Sequence, residues 1–227
     1  MRFSLLTIAL CLLMMSSTLS GASTAAEVLA RMDKAAPGFR GVSASISRVK
    51  YTAIIDERTE EVGNMAIRRS GKSVESKIEI TKPNPRSLAF SGNTVQLYYP
   101  KINTVQEFDI SKNRGLVDQF LLLGFGSSGK DLARSYKVSA KGTDTINGVS
   151  TTKLELVPKS AKAKELLRAV EIWVPDGAAH PIRQKFIEPS DDYMEVTYSN
   201  VKINPNLGPE DIKLDLPANV KREYPQR

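Results

Sequence analysis

Apolar and polar side chains alternate with a period of two through most of this chain, and this alternation limits the fold more than any other feature. It is clearest between residues 72 and 81, where Val74, Ile78 and Ile80 alternate with charged residues. Further strands are predicted at residues 42–56, 61–69, 86–91, 94–99, 104–110, 135–141, 149–157, 169–174, 181–188, 192–203 and 212–216. Because short separators rich in Gly, Pro, Asn or Asp join them, we expect one large antiparallel sheet of about eleven strands, curled or closed into a barrel.

Two helical segments accompany the predicted strands. Near the start, Thr24 and Glu27 have the spacing of a capping box, and Val28 and Met32 follow at helical spacing. Between residues 111 and 123 a second helical stripe interrupts the β pattern, and its apolar members are Leu116, Val117, Phe120, Leu121 and Leu123. Residues 129–134 predict one further turn. The expected fold class is therefore mainly β with helices (α+β), with an N-terminal helix and a helical insertion.

The first 22 residues have the organisation of a secretory signal peptide. A basic residue precedes about thirteen apolar residues and a run of small residues, whereas a membrane-spanning helix needs about twenty apolar residues. We expect cleavage after Ala22, with Ala25 as the second choice, so that residues 23–227 form one exported, soluble domain. The only cysteine, Cys11, lies in the apolar segment, and the bulky Leu10 before it disfavours lipid attachment there. The mature chain would then contain no disulfide and no cysteine-based zinc site.

The formal charge of +7 comes from basic residues scattered along the chain. The densest group lies between residues 159 and 168, and no aromatic side chain is interleaved with it. Surfaces that bind nucleic acid combine basic and aromatic side chains, so nucleic acid is not an expected partner. Two interpretations of this basic group stay open, a solvated face and a mild attraction to anionic lipid surfaces.

No motif in the sequence indicates catalysis. Residues 124–130 match the first seven positions of a phosphate-binding loop, but Asp131 replaces the required Ser or Thr and the preceding segment is predicted to be helical. His180 is the only histidine, and neither a G-x-S-x-G turn nor a zinc ligand set accompanies it. Within each of the acidic pairs at 60–61 and 191–192, the two side chains would point to opposite faces of a strand and could not share a proton or a metal ion. Solvated charges are therefore expected there. We therefore predict no catalytic residue, no metal site and no cofactor.

Several features follow one another in a recognisable order. They are a helix running into a strand at 26–47, a glycine-opened strand ending in Arg68-Arg69, a hairpin with Gly92, Tyr99-Pro100 and Val105, a strand at 153–159, Trp173, and a closing segment at 214–220. This order resembles the LolA-type periplasmic carriers of outer-membrane lipoproteins over nearly the whole mature chain. The resemblance implies an incompletely closed antiparallel barrel, with the helical insertion acting as a lid over an apolar cavity for acyl chains.

The resemblance also assigns roles to residues. Arg69 matches by position the arginine that tethers the lid in the closed state; Ser70 stands where the family usually has proline, and Arg68 competes for the role. The lid side chains would be Leu116, Val117, Phe120, Leu121 and Leu123. The cavity candidates are Leu88, Phe90, Val95, Leu97, Tyr99, Trp173, Phe186, Met194 and Val196.

A carrier of this kind is expected to act as a periplasmic monomer. Its partners would be acylated lipoproteins or other lipids, an inner-membrane release complex and an outer-membrane acceptor. Two alternatives stay open on the same half-barrel, an envelope-stress sensor or regulatory protein and a carrier of another lipid, while a hydrolase is disfavoured by the missing nucleophile and base. Alternation shows which residues share a face but not whether protein side chains fill that face, so plain core packing is the alternative to cavity lining.

Overall fold

The computed structural model describes residues 23–71 and 73–225. The predicted signal peptide and Cys11 lie outside the described residues. The strands of the described part are β1 Gly41–Thr52, β2 Glu57–Ser70, β3 Ser73–Lys82, β4 Arg86–Ser91, β5 Thr94–Tyr99, β6 Thr104–Asp109, β7 Tyr136–Ile146, β8 Val149–Pro158, β9 Ala169–Pro175, β10 Arg183–Ile187, β11 Tyr193–Ile203 and β12 Lys221–Glu223. They form one sheet in the order β12-β6-β5-β4-β3-β2-β1-β11-β10-β9-β8-β7.

The helices of the described part are α1 Ala25–Ala35, α2 Arg114–Leu122, α3 Gly129–Ser135 and α4 Ala161–Leu166. A capping box opens α1, as the sequence predicts. The Thr24 hydroxyl accepts a hydrogen bond from the backbone N–H of Glu27 at 3.2 Å, and the Glu27 carboxylate accepts one from the backbone N–H of Thr24 at 2.7 Å. These two bonds satisfy donors that the first helical turn would leave without a partner.

Every predicted strand except the last is present, and α1, α2 and α3 match the predicted helical segments. The strand predicted at 212–216 is wrong. Ile212 is buried and Leu214 lies beside Ser87 and Tyr98, so the alternation there reflects a segment packed against the sheet rather than hydrogen-bonded into it. The last strand is β12 instead, which pairs with β6 in parallel, so the sheet is not antiparallel throughout. The helix α4 was not predicted from the sequence.

The sheet does not close into a barrel, which confirms the predicted open architecture. β12 forms one edge and β7 the other. The β7 edge is irregular, because its register with β8 shifts between Ala140 and Thr143 and Gly142 has a φ of +102°. The exposed Lys137 and Lys141 also lie on this strand.

The helices cover one face of the sheet, here called the inner face, and the core beneath them has two parts. On the α1 side, Val28 and Met32 of α1 pack on buried residues of β8 and β9 that include Leu156 and Ile172. On the cavity side, the buried cluster consists of residues from β1, β2, β3 and β11 together with Phe39 and Phe125. These two sides position the candidate site.

Candidate functional site

A cavity of about 540 Å³ lies between the inner face and α2, on the cavity side. Its floor is apolar and comes from five neighbouring strands, β3, β2, β1, β11 and β10. The floor side chains are Ile46, Met65, Ile67, Ile78, Phe186, Met194 and Val196. Its cover is Phe120 and Leu121 of α2 together with Phe125. Cavities of this size and apolar character are typical of sites for small molecules or hydrocarbon chains.

Residues 123–128, which follow α2, form a loop at one end of the cavity side, with 123–125 buried and 126–128 half-buried. Phe125 is buried, its ring meeting Tyr198 edge-on at 5.0 Å between centroids and stacking on His180 at 5.9 Å. Gly126 has a φ of +85°, and a Cβ there would lie 2.2 Å from the Phe39 ring. The glycine-rich segment is therefore a close-packed plug whose backbone admits no side chain at this position.

A buried chain of hydrogen bonds ties this loop to the sheet. The Tyr198 hydroxyl donates to Oε1 of Gln184 at 2.5 Å, and Nε2 of Gln184 donates to the carbonyl of Leu123 at 2.8 Å. Burial raises the pKa of Tyr198, so the hydroxyl stays protonated and remains a donor. The backbone just after α2 thus obtains a partner from the sheet rather than from water.

Arg69 makes a second bond to the same loop. Its Nη2 donates to the carbonyl of Gly126 at 3.1 Å, and its guanidinium lies 5.7 Å from the centroid of the Phe39 ring. Arg68, its neighbour on β2, points to the opposite face and forms an ion pair with Glu75. Of the two arginines, the structure therefore places Arg69 against the loop after α2.

The start of α2 is held by polar contacts. The Arg114 guanidinium donates to the carbonyls of Val74 and Gly92 and forms an ion pair with Asp118 at 2.7 Å. No residue of α2 is fully buried, and no side chain caps its first turn. The helix is therefore held by polar bonds at its two ends and by half-buried apolar side chains, among them Phe120 and Leu121, near its C-terminal end.

The cavity candidates divide into three groups. Phe186, Met194 and Val196 lie at the cavity. Residues of the β4–β5 hairpin share the inner face, since Ile78 pairs with Leu88, but they lie farther toward the β12 edge and are not among the lining residues: Leu88, Phe90, Val95, Leu97 and Tyr99. Trp173 is on the wrong face, because Ile172 and Val174 beside it point into the α1 side. Its Nε1 donates to Asp144 at 3.1 Å instead.

The lid candidates are also divided. Phe120 and Leu121 line the cavity, while Leu116 and Val117 do not. Leu123 is fully buried in the cluster on the α1 side, so it anchors the end of α2 rather than lining the cavity.

Sequence reasoning missed a polar group beside the cavity. Glu61, expected to be a solvated charge, is only 6% exposed and bonds to Arg86 at 2.6 Å and to Arg48, which itself lines the cavity. Burial opposes ionisation of Glu61, but hydrogen bonds from the two arginines outweigh it and lower its pKa. The phase of β2 could have revealed this, since Glu61 alternates with Met65 and Ile67 on the inner face.

The mouth of the cavity opens at one end of the sheet. Three segments surround it, namely the β1–β2 turn at 53–56, the α4 segment at 161–168 and the β10–β11 turn at 188–192. Tyr51, Leu166 and Asp192, from or beside these segments, line the cavity. We call the three segments together the rim.

The residues singled out for other chemistry lie elsewhere. The segment at 124–130 follows a helix, α2, where a phosphate-binding loop would follow a strand. Burial lowers the pKa of His180, whose ring stacks on Phe125. Within 23–71 and 73–225, no group of three or more His, Cys, Asp or Glu side chains is placed to hold a metal ion. In the same ranges no helix has the length and apolar character needed to cross a bilayer.

Comparisons with known proteins assign the chain to a family. The family model described as outer membrane lipoprotein carrier protein LolA matches residues 47–214. An uncharacterized conserved protein of Thermus thermophilus has a similar fold, with 14% identity and a TM-score of 0.54 over 88% of this chain and 98% of that chain. No curated protein matches the sequence.

Two further solved structures match with lower TM-scores. The lipoprotein LppX of Mycobacterium tuberculosis is 17% identical, with a TM-score of 0.49 over 81% of this chain and 98% of that chain. A chain of the MucA/MucB complex of Pseudomonas aeruginosa is 12% identical, with a TM-score of 0.46 over 84% of this chain and 60% of that chain.

Proposed function

This chain belongs to the outer membrane lipoprotein carrier protein LolA family, and from that premise we propose that it carries acylated lipoproteins through the periplasm from the inner to the outer membrane. The observation that supports the proposal best is the apolar cavity of about 540 Å³ beneath α2. Export would depend on residues 1–22. An inner-membrane complex would load the carrier, and an outer-membrane acceptor would unload it.

Transfer energetics explain why such a carrier needs a cavity. Moving an acyl chain into water costs about 0.8 kcal/mol per methylene, so one chain of ordinary length costs on the order of ten kcal/mol. The floor formed by residues such as Ile46, Met65 and Val196 offers a dry apolar surface in place of the bilayer. The carrier can then hold the chain without exposing it to water.

The cover explains how the cargo could be released. Phe120 and Leu121 cover the floor when no chain is bound, so an acyl chain and the cover compete as apolar occupants of the same surface. The net affinity is the difference between the two occupants, which keeps it modest. In this proposal Arg69 stabilises the closed state through its bond to Gly126, and this bond breaks when α2 moves away.

The test is to identify and then displace the bound ligand. The protein is purified from the periplasm and its co-purifying ligands are analysed by mass spectrometry, where acylated proteins are expected. Free lipids alone would indicate a carrier of another lipid, and no ligand would favour a regulatory protein.

A variant pair then locates the binding site. Met194→Lys introduces a charge into the cavity floor and is expected to abolish binding of a fluorescent fatty acid. Val138→Lys, at a half-buried apolar position on β7, is the matched control and should keep binding. Equal binding by the two variants would place the ligand outside the cavity.

A further inference from the structure

Large apolar side chains are exposed on the rim of the cavity. Ile54 is 90% exposed and Ile55 62% exposed in the turn between β1 and β2, and Leu166 at the end of α4 is 50% exposed. Ile102, 68% exposed, lies on the β5–β6 turn, which alternating antiparallel strands place at the same end of the sheet. Single exposed apolar residues are ordinary, but several on neighbouring loops mark a surface for apolar contact.

Hydrogen bonds join the segments of the rim into one surface. The backbone N–H of Ala53 donates to Asp192 at 2.8 Å, which ties the β1–β2 turn to the β10–β11 turn. The backbone N–H of Arg168 donates to the carbonyl of Ile187 at 2.8 Å, and its guanidinium forms an ion pair with Asp191. The exposed side chains are therefore held around the mouth of the cavity rather than on independent loops.

The basic residues of the rim are concentrated in the α4 segment, where Lys162, Lys164 and Arg168 outnumber Glu165. Lys162 and Lys164 are exposed on α4 next to Leu166, and Lys50, Glu57 and Arg58 flank the β1–β2 turn. Three carboxylates of the rim bond to neighbouring groups: Asp56 to the Tyr51 hydroxyl, Asp191 to Arg168, and Asp192 to the backbone N–H of Ala53. For the other two, Glu165 and Glu188, no such side-chain bond is described. Cationic side chains beside exposed apolar ones are typical of proteins that lie at a bilayer interface.

We propose that the rim docks reversibly on a bilayer that contains anionic lipids. Ile54, Ile55 and Leu166 enter the boundary between headgroups and acyl chains, and the lysines of α4 contact the headgroups. A protein partner would be met by a larger contiguous apolar face, whereas the rim exposes a few apolar side chains beside cationic ones, as a shallow insertion requires. Three side chains give weak binding, so the protein detaches again.

The purpose of this docking rests on the proposed carrier function. The mouth of the cavity would face the bilayer, so an acyl chain could pass between bilayer and cavity floor without crossing water. Binding to the membrane itself requires no cargo and can be measured separately.

The experiment measures flotation of the mature full-length protein with vesicles. One set is phosphatidylcholine with about one third phosphatidylglycerol, and the other is phosphatidylcholine alone. The double variant Ile54→Ser with Ile55→Ser is expected to bind the anionic vesicles at least about tenfold more weakly than the wild type. Lys162→Gln with Lys164→Gln should weaken binding to the anionic vesicles several-fold and leave the neutral ones unchanged.

Two control variants lie at the opposite end of the sheet. Val149→Ser, at an exposed apolar position on β8, and Lys202→Gln, on β11, should both bind like the wild type. The proposal would be overturned if the wild type did not bind the anionic vesicles. It would also be overturned if the rim and control variants lost binding equally.

Fatty-acid binding in buffer without vesicles separates this proposal from the carrier function. If the protein binds fatty acid normally but does not bind vesicles, the docking proposal is rejected and the carrier proposal stands. Vesicle binding that depends on Ile54 and Ile55, in a protein that binds no fatty acid, supports docking and rejects the carrier.

Discussion

The two helices that cover the inner face, α1 and α2, are attached to the sheet in different ways. α1 begins at a complete capping box and buries Val28 and Met32 to 0% and 1% exposure. α2 has no side-chain cap and no fully buried residue, and polar bonds hold its two ends. The difference indicates that fully buried side chains hold α1, whereas half-buried side chains and polar bonds at its ends hold α2.

Truncating one inward-facing side chain on each helix tests this difference most directly. Met32→Ala leaves a void in a closely packed cluster and is expected to lower the free energy of unfolding by about 3 kcal/mol. Phe120→Ala, at a half-buried position next to the cavity, should cost only about 1 kcal/mol, since less surface is lost from burial. Urea denaturation measures both values, and equal losses would show that α2 is packed as firmly as α1.

The ion-pair network makes the cavity side sensitive to acid. Because Arg86 and Arg48 hold the pKa of Glu61 below its ordinary value, the stability from ionised Glu61 is present above its unfolded-state pKa and is lost as the pH falls. Glu61→Gln is expected to cost about 2 kcal/mol at pH 7 and to flatten the loss of stability below about pH 5. Denaturation across pH measures this, and the exposed Glu60→Gln is the control; a parallel pH profile in both variants would contradict the role of the network.

Removing the bond between Arg69 and Gly126 should loosen the cover without disturbing α1. Arg69→Leu is expected to shift the balance toward the open cover, strengthen fatty-acid binding about tenfold and slow onward transfer of lipoprotein. Arg68→Leu, which removes only the ion pair with Glu75 on the other face, should leave both measurements close to wild type. Normal outer-membrane lipoprotein levels in cells that depend on Arg69→Leu would reject the tether.

The helix caps provide the smallest test of the comparison. Thr24→Ala removes the capping box of α1 and is expected to lower the free energy of unfolding by about 1 kcal/mol. Asn113 is the N-cap residue of α2, and its side chain makes no capping hydrogen bond. Asn113→Ala should therefore change stability by less than about 0.5 kcal/mol. Thermal unfolding of both variants measures the difference, and a larger loss for Asn113→Ala would reverse the assignment.

Local patterns predicted the elements because each depends on residues close in sequence. Period-two runs located the strands, and the capping box located α1. Trp173 was assigned to the wrong face because apolar residues surround it on both sides of β9, so alternation there gives no phase. Ile212 alternates with its neighbours like a strand residue, yet its segment lies on the sheet without pairing.

The location of the cavity depended on contacts that alternation does not encode. Leu97 and Met194 both lie on the inner face, but only Met194 lines the cavity, and the alternation of their strands does not distinguish the two positions. Glu61 could have been found, since its phase places it inward; its arginine partners come from β1 and β4, which only the tertiary structure brings together.

The shape of the β7 edge bears on how the molecule behaves at high concentration. An open sheet offers its unpaired backbone to a second copy, and successive additions would build a ribbon. The kink at Gly142 and the charges of Lys137 and Lys141 deny a flat, neutral template to an incoming strand. The open edge of this sheet thus carries its own safeguard against polymerisation.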